Sequence, residues 1–516
     1  VAMKTLLIVG AGLAGLSAAL TAAGKGSRAA LASSMPSERA QSVMAEGGIN
    51  AALNVKGEDD SPQQHFADTY KAGCGLADAA ALRGMTEAAP GIVRRLLEMG
   101  TQFNRAGGEI DQRNFGGQKK KRTAFAQSGT GKQIMTALID AVRRYEDEGL
   151  VVRLPHHDFV TLLRDGRACG GALLRDRFDG SLSEVRADAV IMATGGMHGL
   201  FSDTTGSLDN TGEAAAELFR LGAAIAGGEF IQYHPTTVPA SGKRHLISEA
   251  ARGEGGRLFT MRDGERWYFM EEKYPELGNL MPRDVTAREI WRARRGGPVF
   301  LDLTELPESV MSRKLAGVVD TCLTYLRLDP REQPIPVEPG LHYFMGGLKV
   351  DATHRVAGFE NLYAAGECAC LYHGANRLGG NSLLGAIYGG QVAARTALGE
   401  AKAPARCRAG EAPPPAPQRD VNAMHEITKR CLGVVRDGET MAWGLSELEK
   451  LSGPLPLLAQ ALLQSALARE ESRGAHFRSD FPERDDAKFR RTSAARFDGA
   501  RVAVTFEDVA KEDERP

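Results

Sequence analysis

The chain is predicted to be an α/β protein: a Rossmann-like nucleotide-binding domain with an inserted α+β capping domain, followed by a C-terminal helical domain. Three observations predict this. Thr5–Val9 reads as a short aliphatic strand entering the turn Gly10-Ala11-Gly12-Leu13-Ala14-Gly15; Leu13–Ala23 then has helical spacing and Ser27–Ala32 suits a second strand. The apolar run Ala187–Met192 ends in Ala193-Thr194-Gly195-Gly196, and Leu362–Ala365 ends in Gly366-Glu367, so two more strands finish in tight turns. Between them, residues 226–345 carry many charges, Trp267, Trp291 and irregular loops, the texture of a second domain placed inside the first.

The expected division follows. Residues 1–225 and 346–398 make the nucleotide domain, with 51–118 as a helical insertion. Residues 226–345 make the capping domain, 399–419 an Ala-, Pro- and Arg-rich linker, and 420–516 the C-terminal helical domain, closed by a short strand at Arg501–Phe506. Val151–Leu154, Phe159–Leu163 and Gly170–Leu174 are expected to form a small antiparallel layer. A length of 516 residues suits two to four domains.

Composition excludes several functions. Lys and Arg total 64 against 65 Asp and Glu, so the basic excess of a nucleic-acid binder is missing. Of the seven cysteines only Cys368 and Cys370 are close, as C-x-C, which is not the spacing of a ferredoxin-type cluster or a zinc ribbon; no metal site is expected. Scattered thiols in odd number read as a reducing, cytoplasmic compartment. No apolar run reaches 18 residues, so no transmembrane span is expected. The opening Val1-Ala2-Met3 leaves Met3 as a candidate start.

In the first turn, Gly10 permits the bend, Gly12 lets a pyrophosphate approach backbone, and Gly15 lets the helix pack on the strand. The following helix N-terminus favours phosphate. The acidic ribose partner expected about 20 residues on is absent. Ser33 stands there instead, either as a loop cap or as a hydroxyl contact to ribose.

A second constellation is spread along the chain: His234-Pro235-Thr236, His342-Tyr343, the loop Gly374–Ser382 with Arg377, and Arg283. Two imidazoles and two guanidiniums suit a small ligand with two carboxylates, because each acid end needs charge-assisted donors and Arg offers a bidentate fork. Singly these residues mean little, since an exposed Arg–Asp pair is ordinarily a surface contact of ~0–1 kcal/mol. Together with a dinucleotide site they outline a redox enzyme acting on a diacid.

Read in series with Ala45-Glu46-Gly47-Gly48-Ile49-Asn50 and Arg122-Thr123, these segments resemble the flavoprotein subunits of succinate dehydrogenase and fumarate reductase, a family that includes L-aspartate oxidase. The resemblance runs from Leu6 to about Asp486 and implies FAD as cofactor. It assigns Gly10, Gly12, Gly15 and Ser33 to the adenosine half, and Gly47 and Gly48 with Ala193, Thr194 and Gly195 to the cofactor cradle. Glu367 is implied to reach its sugar. Ser382 and Leu383 open a helix facing the flavin N1–C2 edge, where a positive dipole end stabilises reduced flavin. Gln41, Ser42 and Arg377 also belong to this set, and Gln41 is a departure: the family's succinate/fumarate branch has a histidine there that bonds covalently to flavin. Gln41 cannot, so non-covalent FAD and a lower potential favouring fumarate reduction are expected.

For the substrate, the resemblance implies carboxylate contacts from His234, Ser248, His342 and Arg377. It implies Arg283 as proton donor to carbon, reprotonated through Glu249 and Arg252. An arginine acid, ordinarily above about pH 12, becomes tolerable when the acceptor is a developing carbanion. Phe115 is the branch marker. Fumarate enzymes press phenylalanine on the alkene at that position, whereas aspartate oxidases place a glutamate for the substrate ammonium. The expectation is therefore a fumarate/succinate flavoprotein supplied by a separate iron–sulfur subunit and a membrane anchor, peripheral to the membrane. A stand-alone L-aspartate oxidase and a redox-inactive FAD-binding scaffold are the alternatives. His65, His156-His157, His425 and His476 are read as structural, with His476 near a charged tail, and Lys119–Arg122 as a solvated basic run or, for Arg122, part of the flavin domain.

Overall fold

A computed structural model describes residues 3–127, 129–240, 243–402 and 406–509. The nucleotide domain is built on a five-stranded parallel sheet. β1 (Thr5–Val9) is central, β2 (Arg28–Ser33) and β3 (Val151–Pro155) lie to one side, and β4 (Ala189–Met192) and the strand Leu362–Ala364 to the other. Leu6, Leu7 and Ile8 of β1 have no exposure, as a strand covered on both faces requires. Helix α1 (Leu13–Ala23) packs on this sheet, with Leu13, Leu16, Ala18, Ala19 and Ala22 buried.

Four expectations change here. Val151–Leu154 is not in the antiparallel layer; it pairs in parallel with β2, Ala29 opposite Val151, and leaves His157–Asp165, Ala168–Asp176 and Leu182–Arg186 to form that layer. The insertion is helical over Pro62–Ala72 and Ala79–Glu98, but its remainder is short strands, Gln112–Arg113 pairing with Thr123–Ala124. The linker is not purely a surface crossing, because Arg408–Ala409 adds an edge strand beside His157–Asp165; its residues 403–405 lie outside the described chain. The C-terminal region is helical over Gln418–Cys431, Gly438–Leu448 and Pro454–Ala468, and the expected closing strand is present as Val502–Asp508, but it is one arm of a hairpin whose other arm, Arg491–Phe497, was not expected. That hairpin pairs with Ile225–Ala226 of the nucleotide domain.

The cap carries a six-stranded sheet in which β5 (Ile231–Ala240) and β6 (Ile335–Phe344) are antiparallel neighbours. Helix α2 (Arg283–Ala293) packs beside β5. The cap has its own core around Leu258, Ile290, Leu301 and Ile335. After it the chain returns to the nucleotide domain and forms α3 (Asn381–Glu400), which packs along α1.

Candidate active site

A cleft of about 530 Å³ runs from the glycine turn to the cap and is lined by both. At its nucleotide end the backbone leaves no room for side chains. Gly10 has φ +113°, and a Cβ there would sit 2.1 Å from the Ala193 carbonyl. Gly12 lines the cleft, while Gly15 does not: a Cβ on Gly15 would lie 1.8 Å from the Gly10 carbonyl, so its task is helix–strand contact. Ser42 Oγ accepts from Leu13 N at 3.3 Å and so steadies the first turn of α1. Ser33 lines the cleft with its hydroxyl donated to the Met35 carbonyl at 2.7 Å.

Ala193, Thr194, Gly195, Gly47 and Gly48 also line the cleft, Ala193 directly against the glycine turn. Gly380, at φ +84°, precedes α3, and Ser382 and Leu383 of its first turn face the cleft. Glu367 lines it too, one oxygen accepting from Phe344 N at 3.0 Å. Two buried amide groups, Gln41 Oε1 and Asn210 Nδ2, line this half without a hydrogen-bond partner. Open glycine backbone, two helix N-termini and unspent polar atoms fit a dinucleotide such as FAD. Asn210 was not foreseen; its position beside Gly195, whose Cβ would lie 2.8 Å from it, is visible only in the fold.

At the cap end, β5 and β6 bring His234 and His342 together, ring centroids 5.2 Å apart. Each lies at a register shift. His342 is the extra residue between the pairs Gln232–Tyr343 and Tyr233–Leu341, and a second shift follows His234 at Pro235. A bulge re-aims a side chain, and here two of them flank the imidazoles. His342 Nδ1 is 2.8 Å from Thr205 Oγ1, and His234 Nδ1 is 3.1 Å from the Thr236 carbonyl. His234 Nε2 is buried with no partner. Burial, reinforced by the charge of Arg283, holds both imidazoles well below the usual histidine range, so both are neutral near pH 7.

Arg377 lies flat over the Tyr343 ring at 4.2 Å, and its Nε has no partner. Burial and the nearby Arg283 charge pull its pKa down to about 9. Such a cation gains from an anionic ligand. Arg283 gives Nε and Nη2 to one oxygen of Glu249 at 2.9 and 2.6 Å, and Nη1 to Gln232 Oε1 at 3.0 Å. The other Glu249 oxygen accepts from Gly116 N at 3.1 Å and Arg252 Nη2 at 3.3 Å. Arg252 stands behind Glu249, away from the cleft, and donates to the Asn279 carbonyl at 2.7 Å. Ser248 and Phe115 complete the lining; Phe115 is 1% exposed and presses on Gly47, whose Cβ would meet its ring at 2.8 Å.

Sequence reading gave no role to Gln232, Thr205 or Tyr343, the last named only as the neighbour of His342. Gln232 joins the two arginine segments, accepting from Arg283 and donating to Asn376 Oδ1 at 2.9 Å and the Arg377 carbonyl at 2.8 Å. Its signal was its place two residues before His234 in a strand, where the side-chain period is two. Among the residues read as structural, His65 contacts Asn381 and His425 the Gly199 carbonyl. His476 is no tail residue, being fully buried between Arg436 and the Arg469 carbonyl. Arg122 is not solvated either: it is buried against Asp60 and Asp68, each at 2.8 Å, and pins the insertion.

Comparison with known proteins agrees with this architecture. The family described as FAD binding domain matches residues 5–383, and that described as fumarate reductase flavoprotein C-term matches 453–516. The chain is 39% identical to the succinate dehydrogenase flavoprotein subunit of Bacillus subtilis, covering 98% of this chain and 96% of that one. It is 38% identical to L-aspartate oxidase of Caulobacter vibrioides, over 93% and 94%. The solved structure of E. coli quinol fumarate reductase FrdA superposes with a TM-score of 0.87 at 28% identity, covering 100% and 98%.

Proposed function

We propose that this chain, which belongs to the FAD-dependent succinate dehydrogenase and fumarate reductase flavoprotein family of oxidoreductases, interconverts fumarate and succinate and favours fumarate reduction. The observation that carries the reading is the buried series Arg283–Glu249–Arg252, opening on a cleft where Arg377 Nε is an unspent donor and His234 Nε2 has no partner. Bound FAD supplies the hydride. The protein residues do the rest. Arg377, His342, His234 and Ser248 grip the two carboxylates, and twisting between the grips polarises the alkene. Arg283 gives a proton to the carbon opposite the hydride, and Glu249 with Arg252 returns it from behind.

Phe115 favours the fumarate branch. A substrate ammonium beside it would find an apolar ring, and Glu249 is already held by two guanidiniums, so aspartate is disfavoured. The test is an assay of purified protein with reduced viologen and fumarate, then with aspartate and oxygen. Succinate formation with no oxidation of aspartate is expected. Aspartate turnover would move the chain to the oxidase reading, and loss of both activities to a scaffold.

FAD is held without a covalent bond, because the side chain at position 41 is an amide. Acid precipitation should leave the yellow colour in the supernatant; a yellow pellet would refute this. Electrons reach the flavin from a separate iron–sulfur subunit joined to a membrane anchor. The chain's cysteine spacing supports no cluster of its own, and its relatives are named as subunits. Among the described residues no helix is long and apolar enough to cross a membrane, so contact with the membrane falls to the partners.

A further inference from the structure

We propose that the turn Arg473–Phe477 is a positioning element of the active site: it holds the capping helix that starts at Arg283 and the loop that carries Arg377 at a fixed separation. The proposal rests on the function argued above for those two arginines.

The cap joins the nucleotide domain through two chain crossings, near Gly227–Phe230 and Phe344–Gly347. These lie side by side: Met345 N donates to the Phe230 carbonyl at 3.1 Å, and a Cβ on Gly346 would sit 2.2 Å from the Gly227 carbonyl. Adjacent crossings act as one pivot, which fixes where the cap is attached but resists rotation about the pivot poorly. A contact away from the pivot is needed to fix the angle.

The C-terminal turn supplies it. On one side Arg288 of α2 donates Nη1 to the Gly474 carbonyl at 3.2 Å. The guanidiniums of Arg288 and Arg292 lie over the Phe477 ring at 5.1 and 5.5 Å. On the other side Ala475 N donates to the Ala375 carbonyl at 2.9 Å, two residues before Arg377. Gly474 has φ +54°, and a Cβ there would stand 2.5 Å from that same carbonyl, so the close approach depends on glycine. Asn376 Nδ2 closes the triangle by donating to Asp284 Oδ1, the residue after Arg283, at 2.9 Å.

A strut must itself be stiff. Arg473 and His476 exchange backbone hydrogen bonds of 2.8 and 3.0 Å. Arg473 is ion-paired with Glu471 at 2.6 Å and Asp486 at 2.8 Å. His476 Nδ1 lies 2.9 Å from Arg436 Nη1 and its Nε2 lies 3.1 Å from the Arg469 carbonyl. Arg469 in turn holds Glu229, beside the pivot, at 2.6 Å. One buried charge cluster thus anchors both the pivot and the strut. Every residue in it is charge-paired or hydrogen-bonded, so the turn resists displacement.

The test uses the FAD-loaded protein and three variants: Phe477→Ala, Phe477→Tyr and Arg288→Gln. Two cation–π contacts of ordinary strength are worth together about a five- to tenfold effect. Phe477→Ala should therefore raise KM for fumarate by about five- to tenfold and lower kcat, with FAD content unchanged, while Phe477→Tyr restores both. Arg288→Gln should reproduce a weaker form of the same change. Without substrate, amide hydrogen exchange should accelerate within residues 283–293 of Phe477→Ala and not across the nucleotide domain. Unchanged kinetics in both Phe477→Ala and Arg288→Gln would overturn the proposal, and so would a loss that Tyr does not rescue or exchange that quickens everywhere. If Phe477→Ala does not fold, Arg288→Gln decides. Should the unsubstituted protein not reduce fumarate, the functional reading fails while the exchange comparison still judges the strut.

Discussion

Replacing Arg283 by glutamine should lower kcat for fumarate reduction by roughly 10²–10⁴-fold, the range over which a positioned acid contributes. Three features put the loss in kcat rather than in folding or cofactor binding. Arg283 is the first residue of α2, placed by Pro282 in extended backbone, so its side chain leaves the helix toward the cleft rather than sideways into the cap core. Its three nitrogens are bracketed by Glu249 and Gln232, which sets the plane of the guanidinium. It stands at the cap end, away from the glycine turn, so FAD content should not change. Glutamine keeps a donor for one carboxylate contact yet has no proton to give to carbon. Lysine keeps the charge but not the fork, and should recover little of the rate. Steady-state rates with reduced viologen, together with flavin content by absorbance, check the result. An Arg283→Gln enzyme within tenfold of the parent would remove Arg283 from the proton-donor role.

Much of this organisation was legible because a continuously apolar strand runs through a glycine turn into a helical pattern, and two further apolar strands end in tight turns of the same kind. What stayed hidden was tertiary pairing. Val151-Val152-Arg153-Leu154 states that a strand exists but not which sheet it joins; the answer lies in Ala29–Ser33, more than a hundred residues earlier. The closing strand expected at Arg501–Phe506 is there as Val502–Asp508, but its partner Arg491–Phe497 and the pairing of that partner with Ile225–Ala226 were hidden in the same way. The clamp residues were legible only as a set: each is ordinary alone, but two histidines and two arginines in one chain with a dinucleotide turn outline a grip on a diacid. Gln232 offered only its place two residues before His234 in a strand, and Tyr343 offered nothing on its own. A glutamine is informative only once the two guanidinium segments it joins are seen to converge, and Tyr343 only once Arg377 lies on its ring. Arg122 had two readings, a solvated basic run or part of the flavin domain, and the first fails because two aspartates from the insertion fold over it.

The second large effect is expected from Glu249→Gln, and it separates proton return from proton donation. Glu249 is a buried carboxylate shared by two buried guanidiniums, at 2.6 Å from Arg283 and 3.3 Å from Arg252. Burial alone would raise its pKa; the charges of Arg283 and Arg252, with the Gly116 amide, outweigh that and hold it below the usual glutamate value. The folded protein therefore binds this proton less tightly than the unfolded chain. Its stabilising contribution is fully present above the ordinary value of 4.5 and fades as pH falls through the lower folded value. Glutamine keeps the shape and the Gly116 contact but leaves two cations without a counter-charge, which costs about 3–5 kcal/mol. The variant should melt lower at pH 7 and lose part of the acid limb seen in the parent. Catalytically, Arg283 still has a proton for the first turnover, so mixing prereduced enzyme with fumarate and excess reduced viologen should give a burst of about one succinate per site, where the parent runs on without one. Later turnovers should then be slow, by about 10²-fold or more, because the path back through Arg252 is cut. A uniform loss with no burst would mean that Glu249 only holds Arg283 in place. An unaltered steady-state rate would exclude it from proton transfer altogether.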